Sequence, residues 1–158
     1  MSSLHYRQNI VASIRIAGHQ IGDVVSHGGN RADGSHITAC FGAQVMITLL
    51  DLDGALQFAN AWLAPEHQWV YEYLPAELPA VTAKEAISTG PSLTVRANGV
   101  DKIDARYDSI SRTARIRAGA LSWIVQDRVA ADSMIATWQY VARIAPAVLS
   151  ASGPSRRS

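Results

Sequence analysis

This chain is short of almost every residue that gives a function away. One cysteine, Cys40, excludes an internal disulfide. A lone thiol in a strand-like run reads as a small buried hydrophobe. No apolar run approaches the roughly 18 residues of a spanning helix. The first residues (MSSLHYRQN) lack a basic region leading into an apolar stretch, so no secretory signal is expected and the cytoplasm is the expected compartment. Gly28-Gly29 has no following Lys-Ser/Thr and is not a phosphate loop. His19, His27 and His36 match no zinc-ligand spacing and read as loop and strand histidines, without a metal. No Ser/His/Asp order or paired carboxylate stands out, since Asp51 and Asp53 open a helix, where the macrodipole accounts for them. Neither an enzyme nor a cofactor is expected.

What is present is repetition. Residues 51–62 (DLDGALQFANAW) and 127–138 (DRVAADSMIATW) both run from an Asp to a Trp eleven residues later. A strand-like run precedes each, at 44–50 and 121–126, and a Gly-Ala pair precedes each run, Gly42-Ala43 and Gly119-Ala120. Internal repetition is weighed before single motifs because it constrains the whole architecture. Two degenerate copies in 158 residues describe a pseudo-dimer within one chain.

The second copy is the clearer. Residues 93–97 (LTVRA) and 100–107 (VDKIDARY) flank Asn98-Gly99, a strong two-residue hairpin signal, because both turn positions tolerate positive φ. Strands at 112–118 and 121–126 follow. Asp127 then caps a helix running to about Ile144, where Pro146 ends or kinks it. The first copy offers strands at 9–16, 19–25, 36–41 and 44–50. Ala17-Gly18 makes its first turn, the polar loop 26–34 (SHGGNRADG) its second, and a helix from Asp51 is closed by Pro65. The predicted fold is α+β: two tandem ββββα repeats forming an intrachain pseudo-dimer of antiparallel sheets, with helices packed on one side. Residues 1–65 form the first repeat, 66–92 a Pro-rich linker, 93–149 the second repeat and 150–158 a disordered basic tail. Within the linker, residues 82–88 read as one or two helical turns. Trp69, Tyr71 and Tyr73 alternate as if on one face of a short strand pinned to the core.

Charge divides the halves. Residues 1–92 carry four bases against eight acids, net −4, and residues 93–158 carry ten against five, net +5. Alternation in the second copy puts Arg96, Lys102, Arg106, Arg115 and Arg117 on one sheet face, opposite a helix-facing set that includes Leu93, Val95, Ile103 and Ile116. Five cations on one face repel each other unless an anion covers them, although antiparallel sheets also wet one side routinely.

A ββββα unit used in pairs, with polar and basic strands opposite the helix, resembles the Whirly and positive-cofactor group of single-stranded-nucleic-acid-binding proteins. The resemblance spans about residues 9–145 and lies in strand order and faces; no family motif is present. It implies a sheet platform for single-stranded DNA or RNA, bound mainly by the second copy and scaffolded by the first. Arg96, Lys102, Arg106, Arg115 and Arg117 would then meet phosphates, and Tyr107 and Trp123 are the candidates for base stacking, with Trp69 and Tyr71 behind them. Trp123 alternates with Leu121 and Val125 and reads equally as core. A second class of function stays open: an assembly or partner-binding module in which the acidic first half of one chain docks on the basic second half of the next, giving a homo-oligomer. No membrane partner is expected.

Overall fold

The computed structural model of the protein describes residues 12–28, 34–42, 45–79, 93–97, 99 and 102–149. The expected strand start at 9–11, loop residues 29–33, the helical turns at 82–88, Asn98 and the 150–158 tail lie outside the described residues. In chain order the elements are β1 (Ala12–Ile16), β2 (Gly22–His27), β3 (His36–Phe41), β4 (Val45–Leu49) and α1 (Leu52–Leu63). A 3-10 helix (Pro65–Tyr71) follows, then β5 (Leu93–Ala97), β6 (Ile103–Asp108), β7 (Thr113–Ala118), β8 (Leu121–Val125) and α2 (Arg128–Val148). The fold is α+β, with ββββα order in each half.

The pairing is not the one that strand order suggests. Two four-stranded sheets form, ordered β1-β8-β7-β6 and β2-β3-β4-β5. Each half gives its first strand to the other half's sheet. There it lies parallel to the strand before the helix: Ile16 beside Val125, and Ala97 beside Leu49. Each sheet is therefore antiparallel over three strands and carries one parallel edge strand. The segments expected as hairpin turns, Ala17-Gly18 and Asn98-Gly99, join strands of different sheets instead. The local signal was sound in one respect, because Gly18 and Gly99 hold φ of +73° and +74°. A positive φ redirects the chain but does not choose which strands pair.

What chooses is a pair of buried carboxylates. Asp51 and Asp127 cap α1 and α2, accepting hydrogen bonds from Gly54 N–H (2.7 Å) and Ala130 N–H (2.8 Å). Each also reaches the chain leaving the exchanged strand. Gly99 N–H donates to Asp51 at 2.7 Å, and Gly18 N–H donates to both Asp127 oxygens at 3.0 Å. Leu78 N–H adds a third donor to Asp127 at 3.0 Å. Buried carboxylates are tolerated only when so satisfied. Neighbouring backbone bonds correspond as well: Leu50 N–H to Ala97 O and Gln126 N–H to Ile16 O, both 2.9 Å. Gly42 N–H to Ile21 O matches Gly119 N–H to Lys102 O.

The helices complete the exchange. They pack on each other, α1 lies against β6 and β7, and α2 lies against β2 and β3. Trp62 and Trp138, at the shared positions, are both fully buried. Trp138 sits by Phe58 (6.1 Å) and Phe41 (5.9 Å), and Trp62 by Trp123 (6.0 Å) and Tyr71 (6.4 Å). Of the described buried side-chain polar atoms, Trp138 Nε1 has no hydrogen-bond partner. Pro146 falls within the last turn of α2, and the helix ends two residues beyond it, at Val148.

The halves differ where packing demands it. Gly22 pairs with Phe41 as Ile103 pairs with Ala118, so small and large trade places across the strands. A Cβ on Gly22 would collide with the Thr137 side chain of α2. Ala61 stands at the matching place on α1, just before its tryptophan as Thr137 is before Trp138. Opposite size changes of this kind keep total volume constant.

The linker aromatics follow a 3-10 helix rather than a strand, so alternation does not align them. Tyr71 is buried, whereas Trp69 and Tyr73 are 48% and 58% exposed. Cys40 is also not fully buried; it is half-buried on the outer face of β3.

Two outcomes test this packing by chemical denaturation. Asp127→Ala leaves three backbone N–H groups short of an acceptor, and is expected to cost about 3–5 kcal/mol, more than Asp51→Ala, which strands two. Equal costs would argue against the extra donor. Gly22→Ala is expected to cost about 1–3 kcal/mol. Adding Thr137→Ala should recover most of that loss, a coupling of at least about 1 kcal/mol.

Candidate nucleic-acid interface

Strand exchange sets which charges share a face. Because β1 joins β8, the outer face of β1-β8-β7-β6 collects Arg15 from the first half with Arg106, Arg115 and Arg117 from the second. The register places Arg106 opposite Arg115, Arg115 opposite Ile124, and Ile124 opposite Arg15. One row across all four strands thus carries three arginines. Arg117 lies in the adjoining row, between Asp104 and Ser122. All four arginines are exposed. Strands lie about 4.8 Å apart, so the row is about 14 Å long. Directly opposed like charges destabilise a sheet. Asp104 relieves this in part, binding Arg106 Nε at 2.8 Å, and Arg117 Nε donates to Gly119 O at 2.9 Å.

A depression of about 600 Å³ opens along this row and the β6–β7 turn, lined by Arg15, Arg106, Arg115, Tyr107 and the hydroxyls of Ser109 and Ser111, among others. Asp108 is its one acid. The Ile110 N–H, then the Ser111 hydroxyl and N–H, hold the Asp108 carboxyl below the usual carboxylate range, with the Arg115 charge assisting. Those bonds shape the turn: Ile110 N–H donates to Asp108 at 2.9 Å, and Arg112 takes a φ of +57°. Ile110 is left 94% exposed at the tip. Three guanidiniums against one carboxylate leave the depression cationic.

Two of the expected site residues do not belong here. Arg96 sits on β5, in the other sheet, so the five cations do not share one face; alternation within a strand is blind to strand exchange. Trp123 is 1% exposed, wedged against Phe41 (5.3 Å) and Trp62, and has no face free for a base. Lys102 is exposed just before β6. Tyr107 is half-buried; its hydroxyl donates to Tyr73 O at 3.3 Å and its ring lies 5.4 Å from the Tyr73 ring. Of the further aromatics, Trp69 is exposed on the 3-10 helix. Tyr71 stacks on Trp62 and donates to Trp62 O at 3.1 Å, and burial pushes its phenol pKa up. Sequence reasoning missed Arg15 and Tyr73. Arg15 stands in SIR as Arg96 stands in TVR, but nothing local shows that β1 crosses over. Alternation with Trp69 and Tyr71 points Tyr73 to a short strand, where the chain instead leaves a 3-10 helix.

His27 and His36 face each other across β2 and β3 with rings stacked at 4.4 Å. Among the described residues, no three His, Cys, Asp or Glu side chains come together as metal ligands. Among the same residues, no helix is long and apolar enough to cross a membrane. No family model, curated protein or solved structure matches this chain.

Trp123→Ala tests the division between core and face. It should cost about 3–5 kcal/mol in stability, while the protein folded at low temperature keeps the ligand affinity of wild type. A selective loss of affinity at unchanged stability would restore Trp123 to the site.

Proposed function

We propose that the protein binds single-stranded nucleic acid across the outer face of β1-β8-β7-β6, without catalysing a reaction on it. The observation that carries this reading is the register row Arg106–Arg115–Ile124–Arg15, a file of cations drawn from both halves of the chain. Phosphates meet the guanidiniums by charge-assisted hydrogen bonds, which arginine makes in a planar, bidentate form. The Ser109 hydroxyl beside the row adds a neutral donor. At the β6 edge, exposed Tyr73, backed by the Tyr107 ring, offers a base an aromatic surface, worth roughly 1–3 kcal/mol when stacked. A duplex keeps its bases stacked on one another and cannot use that surface, so single strands are preferred. Few groups here read base edges, so sequence preference is weak.

The test is a titration of oligonucleotides at several salt concentrations. Three neutralised phosphates predict a slope of log affinity against log salt of about −2 for a single strand. Arg15→Ala with Arg115→Ala should weaken binding and flatten the slope by about one to two units, with folding intact because both side chains are exposed. Arg15→Ala alone is the sharper variant, because Arg15 belongs to the row only through strand exchange. Absence of binding to single-stranded DNA and RNA at low salt would overturn the reading and leave the row to an acidic protein surface.

A further inference from the structure

The second sheet supplies an internal comparison. Its outer face has the same geometry as the arginine face, and register matches the two position by position. Where one sheet has the row Arg106–Arg115–Ile124–Arg15, the other has Val25–Thr38–Thr48–Arg96. Where one has Asp104–Arg117–Ser122–Ser13, the other has Asp23–Cys40–Met46–Thr94. Three arginines are thus replaced by Val25, Thr38 and Cys40. Val25 and Met46 remain 47% and 43% exposed. The two charges that remain stand at opposite edges, Asp23 on β2 and Arg96 on β5, and neither makes an ion pair with a described residue.

We propose that this face is a homodimer interface, in which the β2-β3-β4-β5 sheets of two copies pack face to face about a two-fold axis lying along the strands. The charges select a second copy as the occupant. Rotation about such an axis lays β2 of one copy over β5 of the other. Asp23 then comes over Thr94, one pleat (about 7 Å) from Arg96 along the strand, within reach of a long guanidinium side chain. The two-fold makes the contact twice. Between these corners the face is β-branched, apolar or hydroxylic, with the stacked imidazoles of His27 and His36 in the next row along β2 and β3, and its central part is self-complementary, as an isologous interface must be. Aligned sheets pack about 10 Å apart with strands within about 30° of each other, close enough for Val25 and Met46 to interdigitate.

Size sets the strength. Four strands and five residues make a face of about 300 Å², small for a specific association, so a dissociation constant of about 1–100 µM is expected. The arginine rows of the two copies then point away from each other, and nucleic-acid binding and dimerisation occupy separate faces.

Light scattering and sedimentation of the purified chain, without nucleic acid, across that concentration range test the inference. The expected result is a monomer–dimer equilibrium. Asp23→Arg or Arg96→Asp alone should raise the dissociation constant about tenfold or more, and the two together should restore it. Val25→Arg with Thr38→Arg should leave the chain monomeric. That variant should still fold, because the matching positions Arg106 and Arg115 already carry arginine in the other sheet; circular dichroism and a thermal melt verify this. A wild-type chain that stays monomeric at about 500 µM overturns the proposal. So does a dimer indifferent to Val25→Arg with Thr38→Arg, or a double charge reversal that fails to restore association.

Discussion

Two carboxylates, Asp51 and Asp127, hold the rest of this molecule in place. Each is buried in the core, at 3% and 0% exposure, where a carboxylate survives only with several donors around it. The helix it caps supplies one donor. A glycine of the opposite half supplies another, Gly99 for Asp51 and Gly18 for Asp127, and Leu78 adds a third at Asp127. Satisfying the carboxylates therefore requires each half to send its first strand into the other's sheet. A helix start, a positive-φ glycine and a parallel strand pair are thereby tied into one joint, made twice. The halves cannot part into independent domains without baring both charges.

From that joint follow both the placement of the helices and the composition of the faces. With β1 beside β8 and β5 beside β4, each helix covers the sheet that holds the other half's hairpin, and the aromatic core of Trp62, Trp123, Trp138, Phe41 and Phe58 forms between them. Corresponding backbone does not impose corresponding side chains. Inside, Gly22 and Phe41 answer Ile103 and Ala118, a change constrained by volume. Outside, nothing constrains volume, and the two sheet faces differ in charge instead. One carries arginines in a row whose mutual repulsion calls for an anion. The other lacks those charges and has one acid and one base at its corners.

Much of this was legible in one dimension. The Asp-to-Trp spacing, the ββββα order, the helix starts at Asp51 and Asp127 and the inward set of Leu93, Val95, Ile103 and Ile116 all depend on neighbours within a few residues, where pleat and helical period act directly. Gly18 and Gly99 could be read as turns of unusual φ for the same reason. The aromatic linker reads as a strand because a 3-10 helix leaves no periodicity that distinguishes it from a short strand over seven residues.

By itself, then, the sequence determined the eight strands, the two longer helices and which residues share a strand face, because alternation, capping and turn chemistry are local. Tertiary structure alone decided partnership. Whether β5 pairs with β6 or with β4 depends on whether the Gly99 N–H can find the Asp51 carboxylate, a contact between residues far apart in the chain. That choice removed Arg96 from the basic face, and the matching contact of Gly18 with Asp127 added Arg15 to it. A side chain's direction from its own strand is fixed by the pleat; the neighbours it meets there are fixed by the sheet into which that strand is drawn.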